Sequence, residues 1–426
     1  RGIFGNPHSA NLTSSGMTTL VEQARRAVLA WFNAGDDYTA IFTQNATAAL
    51  KQVGESYPFA PGGSYLLTSD NHNSVNGIRE YAIAKGASVV YAPLTTPELR
   101  IDRARLGELL AGADASRDNL FAYPAQSNFS GVTHSLECVE EAHAAGWDVL
   151  LDAAAYVPTN PLDLHAANPD FVSVSFYKMF GYPTGVGCLL ARHAALSKLR
   201  RPWFAGGTVN FATVQGQRHI LTPGEAGFED GTLNYLAIPA VEIGLRHLAS
   251  VGIETIQTRV RCLTDWLLKR LLDLRHSNGR PMVRIYGPAT LVGRGSTVTM
   301  NVYDAEGHLL DYRRIEELAS FERISLRTGC FCNPGAGEAA EGLTEEDVAA
   351  AMRESADMTL PRFLQFITHR GGKSAGAIRV SLGLASNFAD VYRFVQFVAG
   401  LRDQTRMAVG EATFDIESCR VIRDGS

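Results

Sequence analysis

The stretch Ser173-Val174-Ser175-Phe176-Tyr177-Lys178-Met179-Phe180-Gly181-Tyr182-Pro183-Thr184-Gly185 does most to restrict what this chain can become. Residues 171–176 are an apolar run with small polar residues between, which reads as a buried strand. Lys178 follows at once. Gly181, Pro183, Gly185 and Gly187 then mark a tight loop before a second apolar run, Cys188-Leu189-Leu190. A lysine at the carboxyl end of a buried strand, facing a glycine loop, stands where α/β folds bind ligands. Desolvation there disfavours the ammonium form and releases a free amine, which condenses with aldehydes. A solvated lysine at a strand end is the plainer alternative, and the rest of the chain decides between the two.

That chain alternates strand and helix. Residues 18–33 carry a helical apolar pattern, and strands are expected at 38–42, 65–68, 88–91, 120–123, 147–152 and 171–176, with helices at 74–85 and 136–145. Strands separated by helices, with polar residues at the strand ends, predict an α/β fold built on a mostly parallel, doubly wound sheet. Asn45, Ala46 and Thr47 open a helix after the first strand. Free N–H groups at such a start suit a phosphate, although an ordinary N-cap fits the same residues. Asp152 closes an apolar strand, and a buried carboxylate needs a cation, which a pyridinium nitrogen would supply. His72 ends another strand, as a ligand contact or as a surface histidine. The aldehyde these groups point to is pyridoxal phosphate.

Beyond residue 191, loops at 205–208 and 228–233 show no strong periodic pattern. Helices at 238–251 and 253–274 lead to strands at 283–286, 297–302 and 377–381 and helices at 309–321, 345–354 and 389–401, the pattern of a smaller α+β domain. The expected division is 1–250 for a large cofactor-binding domain, with N-terminal residues also contacting the small domain, and 251–426 for the small one.

Composition removes several functions. The net charge of -5 comes without a basic stripe, so nucleic acid is not expected as a partner. No apolar run approaches the ~18 residues of a membrane span. Cys138, Cys188, Cys262, Cys330, Cys332 and Cys419 are sparse, which fits a reducing, cytoplasmic setting better than a disulfide framework. The start at Arg1 suggests that further residues precede it.

Several motifs agree with one another: Gly5-Asn6-Pro7-His8-Ser9, Gln44-Asn45-Ala46-Thr47, Asn71-His72-Asn73-Ser74-Val75, Pro124-Ala125-Gln126-Ser127-Asn128-Phe129-Ser130-Gly131, Leu151-Asp152-Ala153-Ala154-Ala155, the Lys178 stretch, Phe228-Glu229-Asp230-Gly231-Thr232, and Arg327-Thr328-Gly329-Cys330-Phe331-Cys332-Asn333-Pro334-Gly335-Ala336. Together they resemble the fold-type I, class V pyridoxal-phosphate enzymes, and within these the cysteine desulfurase domain of molybdenum cofactor sulfurases. The resemblance implies a large domain with a seven-stranded, mostly parallel sheet, a smaller α+β domain, and conversion of L-cysteine to L-alanine. It implies that Lys178 carries the cofactor and that Asp152 pairs with the pyridine nitrogen. His72 stacks on the ring and assists proton transfer, and Asn128 contacts the ring hydroxyl and the substrate. Asn45, Ala46, Thr47, Ser175 and Tyr177 hold the phosphate. Thr232 reaches the phosphate of a neighbouring subunit, hence a homodimer. Arg379 clamps the substrate carboxylate, and Cys332 takes the sulfur as a persulfide for a sulfur-acceptor protein or the molybdenum cofactor itself.

There are departures. Ala155 stands where general cysteine desulfurases carry glutamine, and Gly337 where the sulfurase motif often has a further cysteine. Nothing after Leu401 corresponds to the sulfurases' C-terminal cofactor-binding domain. The residues themselves leave two rivals open: a lyase, epimerase or aminotransferase with the same cofactor, and a non-catalytic cofactor-binding partner protein. No metal is expected, because Cys330 and Cys332 find no matching Cys/His pair elsewhere.

Overall fold

Strands whose residues are apolar on both faces must be covered on both faces. Leu120–Pro124 and Phe171–Ser175 are buried at every position. The computed structural model describes residues 4–7, 9–354, 376–404, 412–415 and 420–423. His8 and Cys419 lie outside them.

The seven-stranded sheet has the spatial order Tyr38–Thr43, Gly187–Arg192, Phe171–Ser175, Asp148–Asp152, Leu120–Pro124, Ser64–Thr68, Ser88–Ala92. Gly187–Arg192 runs antiparallel to both neighbours. The other strand pairs are parallel. The register places Pro124 opposite Asp152, Asp152 opposite Ser173, and Ser175 opposite Gly187. The polar residues singled out at strand ends therefore fall at one edge of the sheet. Beneath it, Ile41, Leu50, Tyr65, Leu67, Leu120, Leu150, Phe171 and Leu189 belong to one buried cluster.

The second sheet is four-stranded and antiparallel, ordered Val283–Tyr286, Thr297–Val302, Ala377–Ser381, Arg327–Gly329. Its core joins Leu267, Leu271, Val298, Met300, Ile378, Phe394 and Val398.

The chain divides into a first unit, Arg1–Pro93, Ile101–Gln126 and His134–Thr258, and a second, Leu94–Arg100, Ser127–Thr133 and Arg259–Ser426. The break falls inside the helix Ile253–Asp273 rather than at residue 250, and two short segments leave the first unit for the second. The physical reason is apolar. Leu99 and Phe129 belong to a buried cluster with Tyr286, Phe331, Ala336 and Ala377, all in the second unit.

Local differences from the sequence reading follow from backbone breaks and from short elements. The helix expected at 74–85 is split into Asn73–Asn76 and Ile78–Ala84. The loop after 205 contains a two-stranded hairpin, Val209–Ala212 with His219–Leu221. Ala412–Asp415 and Arg420–Arg423 form another. Asn333, expected in a turn, also caps the helix Pro334–Glu341.

Candidate active site

The helix Ala46–Ser56 begins against the end of the lysine strand. Asn45 caps it, its side chain accepting the Ala48 N–H at 2.9 Å, and Ala46 N–H donates to Ser175 Oγ at 3.0 Å. The Thr47 and Ser74 hydroxyls lie 2.8 Å apart. Gly187 permits this approach: a Cβ there would sit 2.5 Å from the Asn45 carbonyl carbon. His72 Nδ1 accepts the Ser74 N–H at 3.1 Å, which leaves the proton of a neutral ring on Nε2. Asn45, Ala46, Thr47, His72 and Ser175 are thus brought together, and Ser74, which the sequence reading left out of the site, joins them. The signal for Ser74 is its hydroxyl two residues past His72, at the start of a helix.

Asp152 sits next to this group. Its Oδ1 accepts from Ser173 Oγ at 2.9 Å and from Ala154 N–H at 3.1 Å, and Ser173 is two residues before Ser175 on one strand. Lys178 lies in the five-residue helix Phe176–Phe180. That helix turns Phe176 and Met179 inward and leaves Tyr177 and Lys178 exposed, so the expected burial of the amine is not met. Thr232 is exposed in a loop held by two ion pairs, the buried Arg25 to Glu229 at 2.8 Å and Arg201 to the exposed Asp230 at 2.8 Å. Among the described residues no hydrogen bond joins Lys178, Tyr177 or Thr232 to the other candidates. A helix start with three hydroxyls, a carboxylate two strand positions away and a lysine just beyond fit the phosphate, ring nitrogen and aldehyde of pyridoxal phosphate.

In the second unit, Arg379 lies opposite Arg327 across one strand pair and Thr299 across the other. Its Nη1 donates to the Asn128 carbonyl at 2.8 Å, and its guanidinium lies 4.7 Å from the centre of the Phe331 ring. Burial, and then the like charge of Arg327, push the Arg379 pKa down to about 10. The ionisable groups acting on it are Arg327 and Cys332, and no carboxylate is among them within the described residues. A half-buried cation left this way favours an anionic ligand.

Cys330 to Asn333 form a turn closed by Asn333 N–H donating to the Cys330 carbonyl at 3.0 Å. Phe331 and Cys332 adopt φ values of 55° and 56°. Left-handed backbone costs about 1–2 kcal/mol for a residue with a Cβ. Such strain concentrates at functional sites. Phe331 is buried and Cys332 exposed, so the turn drives its ring into the core and its thiol outward. Asn128, expected on the ring hydroxyl, has its side chain in contact with this turn. Its Nδ2 donates to the Phe331 carbonyl at 2.7 Å, and its Oδ1 accepts from Asn333 Nδ2 at 2.8 Å. The structure therefore brings Asn128, Arg379 and Cys332 together, with Asn333 as a further member the sequence did not disclose.

Over residues 1–394 the sequence matches the aminotransferase class-V family. The chain belongs to that family. The family resemblance read from the motifs is borne out, as is the fold. This class-V chain is 37% identical to the molybdenum cofactor sulfurase of Solanum lycopersicum, over 93% of this chain and 52% of that one. It is 36% identical to the molybdenum cofactor sulfurase of Homo sapiens, over 94% of this chain and 46% of that one. It thus spans about half the length of these relatives. The apo cysteine desulfurase of Thermococcus onnurineus NA1 shares its fold, with a TM-score of 0.76 at 21% identity over 93% of this chain and 87% of that one.

Proposed function

We propose that this class-V chain is a pyridoxal phosphate-dependent cysteine desulfurase of the molybdenum cofactor sulfurase kind. It converts L-cysteine and the Cys332 thiol into L-alanine and a Cys332 persulfide. The observation that carries this reading is the pairing of Arg379, a cation with no carboxylate neighbour among the described residues, with an exposed thiol on the turn against which it packs. An amino acid carboxylate suits the first and a transferable sulfur the second.

The roles follow. Arg379 takes the substrate carboxylate on its planar fork. The Ala46 helix start, Thr47, Ser74 and Ser175 bind the phosphate, and Asp152 holds a proton on the ring nitrogen by its charge. The bound cofactor supplies an electron sink for the pair left at the substrate Cα. Lys178 moves the proton at Cα. Cys332, as thiolate, attacks the substrate sulfur; the Cβ–S bond breaks, an S–S bond forms, and protons return to the carbon skeleton to give alanine. One cysteine and one thiol balance one alanine and one persulfide, with no outside oxidant or reductant.

The proposal extends to assembly and setting. Trp203, Phe204, Phe211, Ile220, Leu236 and Ile243 are exposed apolar residues of the first unit, which favours a homodimer to which Thr232 contributes. A cytoplasmic location keeps Cys332 reduced, and a sulfur-acceptor protein or the molybdenum cofactor receives the persulfide sulfur. The test is incubation with L-cysteine, reading alanine and the mass of the Cys332 peptide. Equal amounts of alanine and of one added sulfur are expected. Pyruvate and sulfide without alanine would turn the assignment to a lyase.

A further inference from the structure

Asn128 touches three groups with three different atoms. Its carbonyl accepts from Arg379 Nη1 at 2.8 Å, its Nδ2 donates to the Phe331 carbonyl at 2.7 Å, and its Oδ1 accepts from Asn333 Nδ2 at 2.8 Å. Asn333 in turn caps the helix Pro334–Glu341, its Oδ1 accepting the Ala336 N–H at 3.2 Å. The peptide between Phe331 and Cys332 is therefore gripped from both sides. The Phe331 carbonyl is bound by one amide, and Asn333, next to Cys332, is bound by the same amide and by a helix start. The left-handed backbone at Phe331 and Cys332 is not what those residue types choose unaided, so something must hold it. The Phe331 ring adds a third hold, packed 5.6 Å from Phe129 and under the Arg379 guanidinium.

We propose that the Asn128–Asn333 amide pair is a positioning device for the sulfur-accepting thiol, fixing the Cys332 turn to the same residue that fixes Arg379. Distance between the carboxylate clamp and the nucleophile is then set by one residue, through its carbonyl on one side and its amide on the other, rather than by two independent loops. This rests on the desulfurase reading. It assigns Asn333 a function beyond capping, and it makes Asn128 a positioning residue of the thiol as well as a candidate cofactor contact. A displacement of about 1 Å between reacting groups costs about a hundredfold in rate, so a device of this kind is read in turnover and not in binding.

The decisive variant is Asn333→Ser in the full chain with bound cofactor. Serine still caps the helix through its hydroxyl but cannot reach Asn128. Asn333→Asp is the second variant: it keeps the capping oxygen and the shape and loses the N–H donor. For both, kcat for alanine formation should fall about a hundredfold while KM for L-cysteine stays within twofold, because the Asn128 carbonyl still holds Arg379. A reading that needs no turnover goes with it: the rate of iodoacetamide labelling of Cys332 relative to the exposed Cys262, by peptide mass. The held turn drives the Cys332 thiol outward and a released turn does not, so the Cys332-to-Cys262 ratio should drop at least threefold. If kcat is unchanged, if KM rises in step with the fall in kcat, or if the labelling ratio is unaltered or higher, the proposal is overturned. Should the wild-type chain form no alanine, the desulfurase reading fails, and the labelling ratio still decides whether the amide pair holds the turn.

Discussion

In the first unit, Ala46, Thr47, Ser74 and Ser175 meet through a helix start and neutral hydroxyls, and each is already fixed by its own helix or strand end. In the second unit, Arg379, Asn128 and Cys332 meet through an amide pair, a strained turn and a cation with no carboxylate neighbour among the described residues. The first arrangement can lose one contact and keep its shape. The second is mutually supported, so a change at one member reaches the others. A region that only binds a rigid anion can be assembled from independent parts, while a region that must aim a nucleophile cannot.

The sharpest break of that comparison is to remove the reactive group of each region. Lys178→Ala should lower alanine formation by about 10⁴-fold, the upper range for a positioned acid–base group, and borohydride should no longer fix the cofactor to the chain. Cys332→Ala should abolish alanine formation as completely but leave borohydride fixation at Lys178 intact, with Cys330→Ala retaining substantial activity. Borohydride adducts mapped to another lysine, or alanine from Cys332→Ala at the wild-type rate, would refute the respective assignments.

Next in size is Asp152→Asn. The asparagine Oδ1 can still accept from Ser173 and Ala154, so the thermal melting point should stay close to the wild type. Loss of the charge removes about 1–3 units of pKa elevation at the ring nitrogen, and kcat should fall about tenfold to a thousandfold. Near-normal turnover would show that Asp152 is a structural carboxylate.

Arg379→Lys should raise KM for L-cysteine about tenfold, because an ammonium cannot reproduce the fork, with a smaller effect on kcat. The sign with pH is fixed by the depressed pKa. Arg379 is charged below about 10 and loses its charge above, so wild-type KM should climb as pH passes 10. A flat KM across that range would detach Arg379 from the carboxylate.

The smallest effect expected is that of Ser175→Ala, which removes one acceptor from the Ala46 N–H and one hydroxyl from the phosphate group. Cofactor affinity, by titration followed in absorbance, should weaken about fivefold, the worth of one ordinary hydrogen bond. A loss beyond a hundredfold would mean that the first region is as interdependent as the second.

The same contrast explains what the sequence disclosed. The parallel strands were legible because both faces are buried and the runs are continuous, as in Phe171–Ser175, and the site residues of the first unit sit at the ends of those runs. The exposure of Lys178 was not legible, since a five-residue helix that turns Phe176 and Met179 inward follows from packing and not from period. The link between Asn128 and Asn333 joins residues 205 positions apart, and no local pattern carries it. The hairpin Val209–Ala212 with His219–Leu221 was missed because its strands are short and largely exposed, so it lacks the alternation that marks a half-buried strand.

The excursions Leu94–Arg100 and Ser127–Thr133 also carry a consequence for how the chain comes off the ribosome. Leu99 and Phe129 are translated among the strands of the first sheet, yet the residues that enclose them, from Tyr286 to Ala377, come much later. At roughly 5–20 residues per second, Ala377 follows Phe129 by on the order of ten to fifty seconds. During that interval the early strands can pair while two apolar segments wait without neighbours. A transcript cut short before Tyr286 yields a product whose first sheet is complete but whose Leu99 and Phe129 stay bare, a form that chaperones and proteases recognise, so truncation there should be read in cells as loss of the whole protein.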